Sequence, residues 1–220
     1  MKRIVEAYVG EYASGKSETA VNRALDLAKE GRRVSLVDLD IVEPCYTLRP
    51  IKNELSAKGI SVLAWDTKET VGLGEAGNVI KAETRWALRR TGDVILDIGY
   101  GVEGAKTLNL IEGAGQDPDL QVLAVINIAR PMTSSLEDII EYVKSLGRVD
   151  GLINNSHLGE ETDVEIIQEG AKVITEVGRL LNIPVVATTV VSELSDAIGK
   201  YDIAGNPVRL LTRFMPRTLW

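Results

Sequence analysis

The chain has 220 residues, of which 45% are hydrophobic and 26% are charged, and its formal net charge is −7 at pH 7. This length fits a single domain over residues 1–220 and is too short for two ordinary domains with independent cores. The acidic balance argues against general binding of nucleic acid, because acidic surfaces repel phosphates.

Single occurrences of cysteine and histidine limit the metal chemistry open to one chain. Cys45 alone excludes an internal disulfide, and Cys45 with His157 gives too few ligands for a zinc or iron–sulfur site. No apolar run approaches the roughly 20 residues that span a bilayer. The basic start MKR runs into a glycine-bearing loop and not into a signal-peptide cleavage region. We therefore expect a cytoplasmic protein that does not bind membranes.

Short apolar runs alternate with longer segments of helical period along the chain. In chain order the predicted elements are strand Arg3–Val9, helix Lys16–Glu30, strand Arg33–Val37, helix Thr47–Lys58, strand Ile60–Ala64, helix Asn78–Arg90, strand Val94–Leu96, helix Glu103–Glu112, strand Gln121–Ile128, helix Ser134–Leu146, strand Gly151–Ile153, helix Asp163–Leu181, strand Pro184–Val191 and helix Ser192–Lys200. Most strand segments are almost continuously apolar, which is typical of a parallel sheet buried on both faces. The alternation predicts a three-layer, doubly wound α/β fold with a mostly parallel sheet.

The first strand-to-helix junction carries a phosphate-binding motif. Residues 10–17, GEYASGKS, match the pattern G-x-x-x-x-G-K-[ST]. Glycines permit a tight turn whose N–H groups point at phosphate oxygens, and the following helix adds free N–H groups and the positive end of its dipole. We predict nucleotide contacts at Gly10, Glu11, Tyr12, Ala13, Ser14, Gly15, Lys16, Ser17 and Glu18. Within this set, Lys16 is expected to reach the β- and γ-phosphates and the Ser17 hydroxyl to bind Mg²⁺.

Two further predicted strands end in carboxylates. Asp38 and Asp40 follow the second strand, and Asp97 follows the fourth. Open α/β sheets bind ligands at the carboxyl ends of their strands, so these acids are expected beside the phosphate loop. Phosphoryl transfer needs a metal ion and an oriented nucleophile, and we predict Ser17, Asp38 and Asp97 as metal ligands. The alternative is that these acids only end strands, because turns favour Asp.

With these residues in place, the sequence resembles the MinD/ParA/Mrp group of P-loop ATPases, also called the CobQ/CobB/MinD/ParA nucleotide-binding domain. The resemblance covers nearly the whole chain and rests on the segments GEYASGKS, VSLVDLDIVEP, VILDIGYG, GLINNSHL and IPVVATTVV. It implies a P-loop NTPase that binds ATP or ADP with Mg²⁺. Residues 37–44 correspond to switch I, where Asp40 would position the hydrolytic water, and the residues after Asp97 correspond to switch II. The resemblance thus implies Lys16 and Asp40 as catalytic residues.

The same resemblance suggests how the base is bound. Asn155 aligns best with the family asparagine that reads the adenine edge, with Asn154 as the fallback, and Pro184 resembles the stretch that flanks the base. An amide suits this role because it offers both a donor and an acceptor. The alternative is that the two asparagines only form a turn.

One loop position departs from the family pattern. Members that dimerise across the nucleotide usually carry a lysine directly after the first glycine of the loop, where this chain has Glu11. A carboxylate cannot neutralise a partner's phosphates, so a homodimer needs another basic residue. Arg130 is a candidate, and the alternative is a surface arginine before a proline. Cys45 lacks the Cys-x-x-Cys of iron–sulfur carriers in the family and is expected to be a lone, partly buried thiol.

The segment 209–220 mixes arginines with apolar side chains. Some MinD-like proteins end in an amphipathic membrane helix, but Pro216 interrupts a helix here and the segment is short. We expect this stretch to dock against the protein's own sheet or against a partner.

Three functions are compatible with these residues. The first is a Mg²⁺-dependent ATPase that acts as a nucleotide-dependent switch toward a protein partner, which the sequence does not name. The second is an ATP-dependent small-molecule kinase or synthetase resembling dethiobiotin synthetase, with the loop Trp65–Gly77 lining an acceptor pocket. The third is a non-hydrolysing, nucleotide-binding regulatory module, which Glu11 favours. Nucleotide-dependent oligomerisation would favour the first function, and stimulation by a metabolite the second.

Overall fold

Eight parallel strands form one sheet in the order β3-β2-β4-β1-β5-β6-β7-β8. The computed structural model describes residues 2–40, 48–65 and 81–215. The strands are β1 Val5–Gly10, β2 Val34–Leu39, β3 Ile60–Leu63, β4 Asp93–Ile98, β5 Leu120–Ile126, β6 Gly151–Asn154, β7 Val185–Val191 and β8 Val208–Leu211. β1 and β4 are buried along their whole length, as their continuous apolar runs predict for strands covered on both faces.

Helices cover both faces of this sheet. The α-helices are α1 Lys16–Lys29, α2 Lys52–Ala57, α3 Gly101–Lys106, α4 Leu136–Ser145, α5 Val164–Leu181 and α6 Ser195–Ile198. Short 3₁₀ helices span Ala82–Arg89, Thr107–Leu110, Pro131–Thr133, Gly159–Glu161 and Ser192–Leu194. One buried apolar cluster joins the sheet to α4 and α5, and a second joins the opposite face to α1 and α2. The predicted three-layer α/β fold is therefore confirmed.

The path of the chain places a ligand crevice beside β1. β1 lies between β4 and β5. The connections run toward one edge through β2 and β3, return to β4 beside β1, and run toward the other edge from β5 to β8, so their direction reverses beside β1. Ligands of open α/β sheets bind at such a reversal, outside the carboxyl ends of the strands. The phosphate-binding motif follows β1 directly, which puts it at this point.

The seven predicted strands are present, and β8 adds an eighth that the sequence analysis did not predict as a strand. β8 pairs with β7 in parallel, so the expectation that the segment 209–220 docks against the protein's own sheet is confirmed for residues 209–211. Residues 216–220 lie outside the described part of the chain.

Several helices differ from their predictions. The segment predicted as helix 78–90 is a 3₁₀ helix over Ala82–Arg89, in which Thr84 and Ala87 are buried three residues apart, the period of a 3₁₀ helix. The helix predicted over residues 192–200 is split into a 3₁₀ turn and the short α6. Most of the predicted functional loop, residues 66–77, lies outside the described residues, as does Cys45. Within the described ranges, no helix has the length and apolar character needed to cross a membrane.

Candidate functional site

The turn between β1 and α1 requires glycine at two positions. Gly10 has φ +155° and Gly15 has φ +86°, and a Cβ at these residues would lie 2.5 Å from the Val125 carbonyl oxygen and 2.0 Å from Asn155 Nδ2. Ala13, between them, also adopts a left-handed conformation with φ 53°. The turn is therefore tight on both flanks, as a loop of N–H groups around a phosphate needs.

Lys16 is held against this loop. Its side chain is buried, and Nζ donates to the carbonyl oxygen of Glu11 at 3.0 Å. Burial lowers the pKa of Lys16, and the nearby carboxylates of Asp97, Asp40 and Glu11 act in the opposite direction. The Glu11 carboxylate also turns back onto the loop, because it accepts from the Tyr12 backbone N–H at 2.9 Å.

The predicted acids converge on Lys16. Asp38 and Asp97 are direct neighbours in the β2–β4 pairing, and Asp97 is fully buried. Burial raises the pKa of Asp97 well above its usual value; the charges of Asp38 and Asp40 raise it further, and Ser17 and Lys16 lower it. Among the described residues, neither carboxylate oxygen of Asp97 has a hydrogen-bond partner at standard geometry.

Asp38 organises the backbone that follows β2. One carboxylate oxygen accepts from the Asp40 N–H at 3.0 Å and the other accepts from the Leu48 N–H at 3.3 Å. Burial raises the pKa of Asp38 to about 7, although these hydrogen bonds oppose the rise. Asp38 therefore ties together the two ends of residues 41–47, which lie outside the described part of the chain.

Residues after β4 contact both Asp40 and the phosphate loop. A Cβ on Gly99 would lie 3.2 Å from an Asp40 carboxylate oxygen, and a Cβ on Gly104 would lie 2.0 Å from the Gly99 carbonyl oxygen. The rings of Tyr12 and Tyr100 meet edge to face, with 5.4 Å between their centroids. The sequence analysis missed Gly104 and Tyr100, although a tyrosine in each loop and a glycine in the first turn of a helix were visible signals.

The donors near the phosphate loop fit a magnesium ion. Ser17 lines the same cavity as Lys16 and Asp40, and among the described residues neither oxygen of buried Asp97 has a hydrogen-bond partner at standard geometry. No group of three or more acidic, cysteine or histidine side chains forms a metal cage within the described ranges. Mg²⁺ does not need such a cage, because it is bound through one or two carboxylates together with substrate phosphates and water.

Asn155 connects the phosphate loop to β7. Its amide nitrogen donates to the Ser14 carbonyl oxygen at 2.7 Å, and its amide oxygen accepts from the Thr189 hydroxyl. Asn154, the fallback, lies deeper and donates to the Thr188 hydroxyl at 3.2 Å. Asn155 lines the cavity and Asn154 does not, so base reading by Asn155 stays a prediction and its observed contacts brace the loop.

The prediction for Pro184 was wrong. Pro184 precedes the first residue of β7 and accepts from the N–H of Leu152 at the amino end of β6. β7 has seven residues, which at about 3.3 Å per residue puts Pro184 roughly 20 Å from the carboxyl end of the strand. The residues of β7 that face the site are Thr189, Val190 and Val191.

A single cavity of about 570 Å³ joins these groups. Its lining includes Tyr12, Ala13, Gly15, Lys16, Ser17, Glu18, Asp40, Tyr100, Asn155, His157, Glu160, Ile167, Val191, Leu211, Arg213 and Met215. His157 is fixed by its backbone, which exchanges two hydrogen bonds of 3.1 Å with the Asn127 amide. Burial, with the charges of Arg130 and Arg213, lowers the pKa of His157 to about 4, so its imidazole is neutral at pH 7. Arg130 therefore lies near the site, and its role as a substitute for the family lysine stays a prediction.

Comparison with known proteins finds solved structures that have a similar fold. No protein-family model and no curated protein matches the sequence. The cell division protein FtsY of Thermotoga maritima is 19% identical with a TM-score of 0.55, and the match covers 86% of this chain and 62% of that chain. The signal recognition particle receptor FtsY of Elizabethkingia anophelis in complex with GDP is 17% identical with a TM-score of 0.54, over 86% and 57% of the two chains. FlhF complexed with GTP/Mg²⁺ is 13% identical with a TM-score of 0.52, over 84% and 64%.

These similarities establish the fold class. At such low identity they show a common fold, that of P-loop NTPases, and they do not single out the MinD/ParA group that the motifs suggested. The chain spans only 57–64% of the length of these three structures.

Proposed function

We propose that this protein is a Mg²⁺-dependent P-loop nucleoside triphosphatase that acts as a nucleotide-dependent switch. One observation carries the proposal: Lys16, Ser17 and Asp40 line one cavity at the phosphate loop, with buried Asp97 directly behind them. Positively charged, metal-ligating and water-orienting groups are the set that phosphoryl transfer requires.

Each group has a separate chemical role in this proposal. The N–H groups of residues 10–15 and the Lys16 ammonium bind phosphate oxygens and stabilise the charge that develops on them. Ser17 Oγ and the Asp97 carboxylate would hold Mg²⁺, which would supply positive charge to neutralise the phosphates. The Asp40 carboxylate accepts a hydrogen bond from the attacking water and orients it toward the terminal phosphate. Because Asp40 lies next to Gly99, a change at the terminal phosphate would affect both the segment after β2 and the segment after β4.

The switch elements of the proposal are the segments that follow β2 and β4. Asp38 holds Asp40 and Leu48 on either side of residues 41–47, and the segment after β4 touches the phosphate loop through Tyr100. Contacts of the terminal phosphate with Asp40 and with the loop after β4 would form on binding and be lost on hydrolysis. A protein partner that contacts them would distinguish the two states.

The proposed nucleotide is ATP. Guanine presents N–H donors that require a well-placed acceptor, and among the described residues the carboxylates that line the cavity are Glu18, Asp40 and Glu160. Glu18 is engaged by the backbone N–H groups of Phe214 and Met215, and Asp40 lies at the phosphate end. GTP, which the FlhF structure contains, is the alternative, and its recognition would fall to Glu160.

The Asp40→Asn variant tests the assignment of Asp40 as the carboxylate that accepts from the attacking water. The amide keeps the shape of the side chain but cannot take a proton from water, so we expect ATP affinity within about threefold and turnover reduced by about 100-fold or more. The measurement is steady-state hydrolysis of ATP with Mg²⁺, together with the dissociation constant from titration. Asp196→Asn, at an exposed acid in α6, is the matched control and should hydrolyse ATP at the wild-type rate. Normal turnover in Asp40→Asn would remove Asp40 from this role.

A further inference from the structure

The chain after β8 forms one wall of the nucleotide cavity. Leu211, Arg213 and Met215 line the same cavity as the phosphate-loop residues Lys16 and Ser17. These three alternate along the sequence, as side chains on one side of an extended segment do. We refer to residues 211–215 as the C-terminal wall.

Two side chains of α1 hold the C-terminal wall in place. The carboxylate of Glu18, which is buried, accepts from the backbone N–H of Phe214 and, at 2.9 Å, from that of Met215. Asn22, one turn further along α1, makes a reciprocal pair with Thr212: its Nδ2 donates to the carbonyl oxygen and its Oδ1 accepts from the N–H, each at 2.8 Å. The wall is therefore hydrogen-bonded to the helix that begins at the phosphate loop.

Phe214 anchors the wall in the protein interior. Its side chain is 4% exposed and belongs to the buried cluster that includes Ala20, Val21 and Ala24 of α1. The neighbours of Phe214 on either side, Arg213 and Met215, consequently face the cavity. This geometry fixes the wall through backbone and core contacts, while the Arg213 and Met215 side chains line the cavity.

The chemistry of this part of the cavity suits a planar heteroaromatic ring. Leu211 and Met215 on the wall, with Val191 at the end of β7, provide apolar surface in the cavity. A methionine adapts its shape to aromatic rings, and a guanidinium stacks on them. Arg213 also faces into the cavity toward His157, since its charge contributes to the lowered pKa of that imidazole.

We infer that the C-terminal wall binds the base of the nucleotide: Arg213 and Met215 contact the purine ring, and Glu18 is a positioning residue that holds them there. This inference rests on the proposed function. Since Glu18 directly follows Ser17, the hydrogen bonds of Glu18 also join the base wall to the phosphate- and metal-binding end of α1. In this inference, the phosphates bind at the start of α1 and the base binds to the wall, which is hydrogen-bonded to the same helix.

The test compares a ligand that has a base with one that lacks it. We would measure dissociation constants of ATP and of inorganic tripolyphosphate, both with Mg²⁺, for the wild type and for the Arg213→Ala/Met215→Ala double variant. ATP should bind at least about tenfold more weakly to the double variant, which is the scale of one base stacking contact, while tripolyphosphate should bind within about twofold of wild type. Leu210→Ala, at a 54% exposed residue outside the cavity, is the control and should change neither constant.

A second variant tests the positioning role of Glu18. Glu18→Gln replaces one acceptor oxygen by an N–H group that faces a backbone N–H, so the wall should detach. We expect weaker ATP binding, unchanged tripolyphosphate binding and faster tryptic cleavage after Arg213. Glu30→Gln, at an exposed acid at the end of α1, is the matched control.

The outcomes separate this inference from the proposed function. If the wild type binds ATP and the Arg213→Ala/Met215→Ala variant binds it equally well, the wall does not bind the base. Equal losses for ATP and tripolyphosphate would also overturn the inference, because the wall would then serve only the fold. If the wild type binds neither ligand, the proposed function itself fails.

Discussion

At the scale of single residues, the site places three carboxylates and a lysine close together. Lys16 and Asp97 are both buried, and Asp38 and Asp40 lie close enough to Asp97 to raise its pKa. Leaving a buried carboxylate without hydrogen bonds costs stability, and that cost is typical of groups that act on a ligand. A divalent cation with phosphate would satisfy the Asp97 oxygens and screen this repulsion.

His157 predicts a pH dependence of folding. Its pKa is about 4 in the folded protein and 6.5 ordinarily, so the folded state disfavours the protonated imidazole. The stability that the neutral imidazole contributes is present above pH 6.5 and is lost as pH falls toward 4. Since each unit of pKa difference between the folded and unfolded states corresponds to about 1.4 kcal/mol, His157 contributes at most about 3 kcal/mol to the free energy of unfolding.

The check is urea unfolding of wild type and His157→Gln at several pH values between 4 and 7. The free energy of unfolding should fall with pH less steeply in the variant, because glutamine does not titrate. Parallel pH profiles for the two proteins would mean that His157 is not the group responsible.

At the scale of elements, α3 is the helix that packs against the loop after β4, next to Asp40. It starts directly after Tyr100 and approaches β4 so closely that Gly104 meets the Gly99 carbonyl oxygen. Asp40 also lies beside Gly99, since a Cβ on Gly99 would be 3.2 Å from an Asp40 carboxylate oxygen and 3.6 Å from Gly104 Cα. In the proposed switch, a shift of the loop after β4 would move α3 and so change the surface that a partner contacts.

Gly104→Ala tests this contact. The added Cβ would lie 2.0 Å from the Gly99 carbonyl oxygen, so α3 must move, and we expect a loss of roughly 1–3 kcal/mol in the free energy of unfolding. Turnover should fall more than ATP affinity, because the loop that flanks Asp40 is displaced while the phosphate loop is not. Gly115→Ala is the control, since a Cβ there meets no atom within 4 Å. Wild-type stability and turnover in Gly104→Ala would contradict the coupling.

Local patterns in the sequence were sufficient for the elements whose signal lies within one segment. Continuous apolar runs gave the buried strands, and the phosphate-loop pattern led to Lys16 and Ser17, because a motif and its flanking strand and helix are contiguous.

Contacts between segments that are distant in the sequence could not be predicted from local patterns. β8 is four residues long and becomes a strand by pairing with β7. The prediction for Pro184 rested on the resemblance of a short stretch, although the predicted strand already placed Pro184 at its amino end, away from the site. The double hydrogen bond of Glu18 joins residues 196 or more positions apart, which no local pattern predicts.

At the scale of the whole molecule, the parallel sheet brings distant segments to one edge. The phosphate loop follows β1, the acids end β2 and β4, Asn155 follows β6, and the C-terminal wall follows β8. All these strands run in the same direction, so their carboxyl ends surround one cavity. Under the proposed function, this arrangement would bring phosphate, metal and base contacts together from distant parts of the sequence, at the end of the sheet where open α/β folds bind ligands.

The central claim is that this cavity binds a nucleoside triphosphate through the phosphate loop. The most direct measurement is calorimetric titration of wild type and Lys16→Ala with ATP, in the presence and absence of Mg²⁺, with the melting temperature of each protein recorded as a check on folding. We predict that wild type binds ATP more tightly with Mg²⁺, and that Lys16→Ala, still folded, loses at least about 100-fold in affinity because the phosphate charge loses its buried counter-ion. Equal binding by the two proteins, or no binding by the wild type, would contradict the claim.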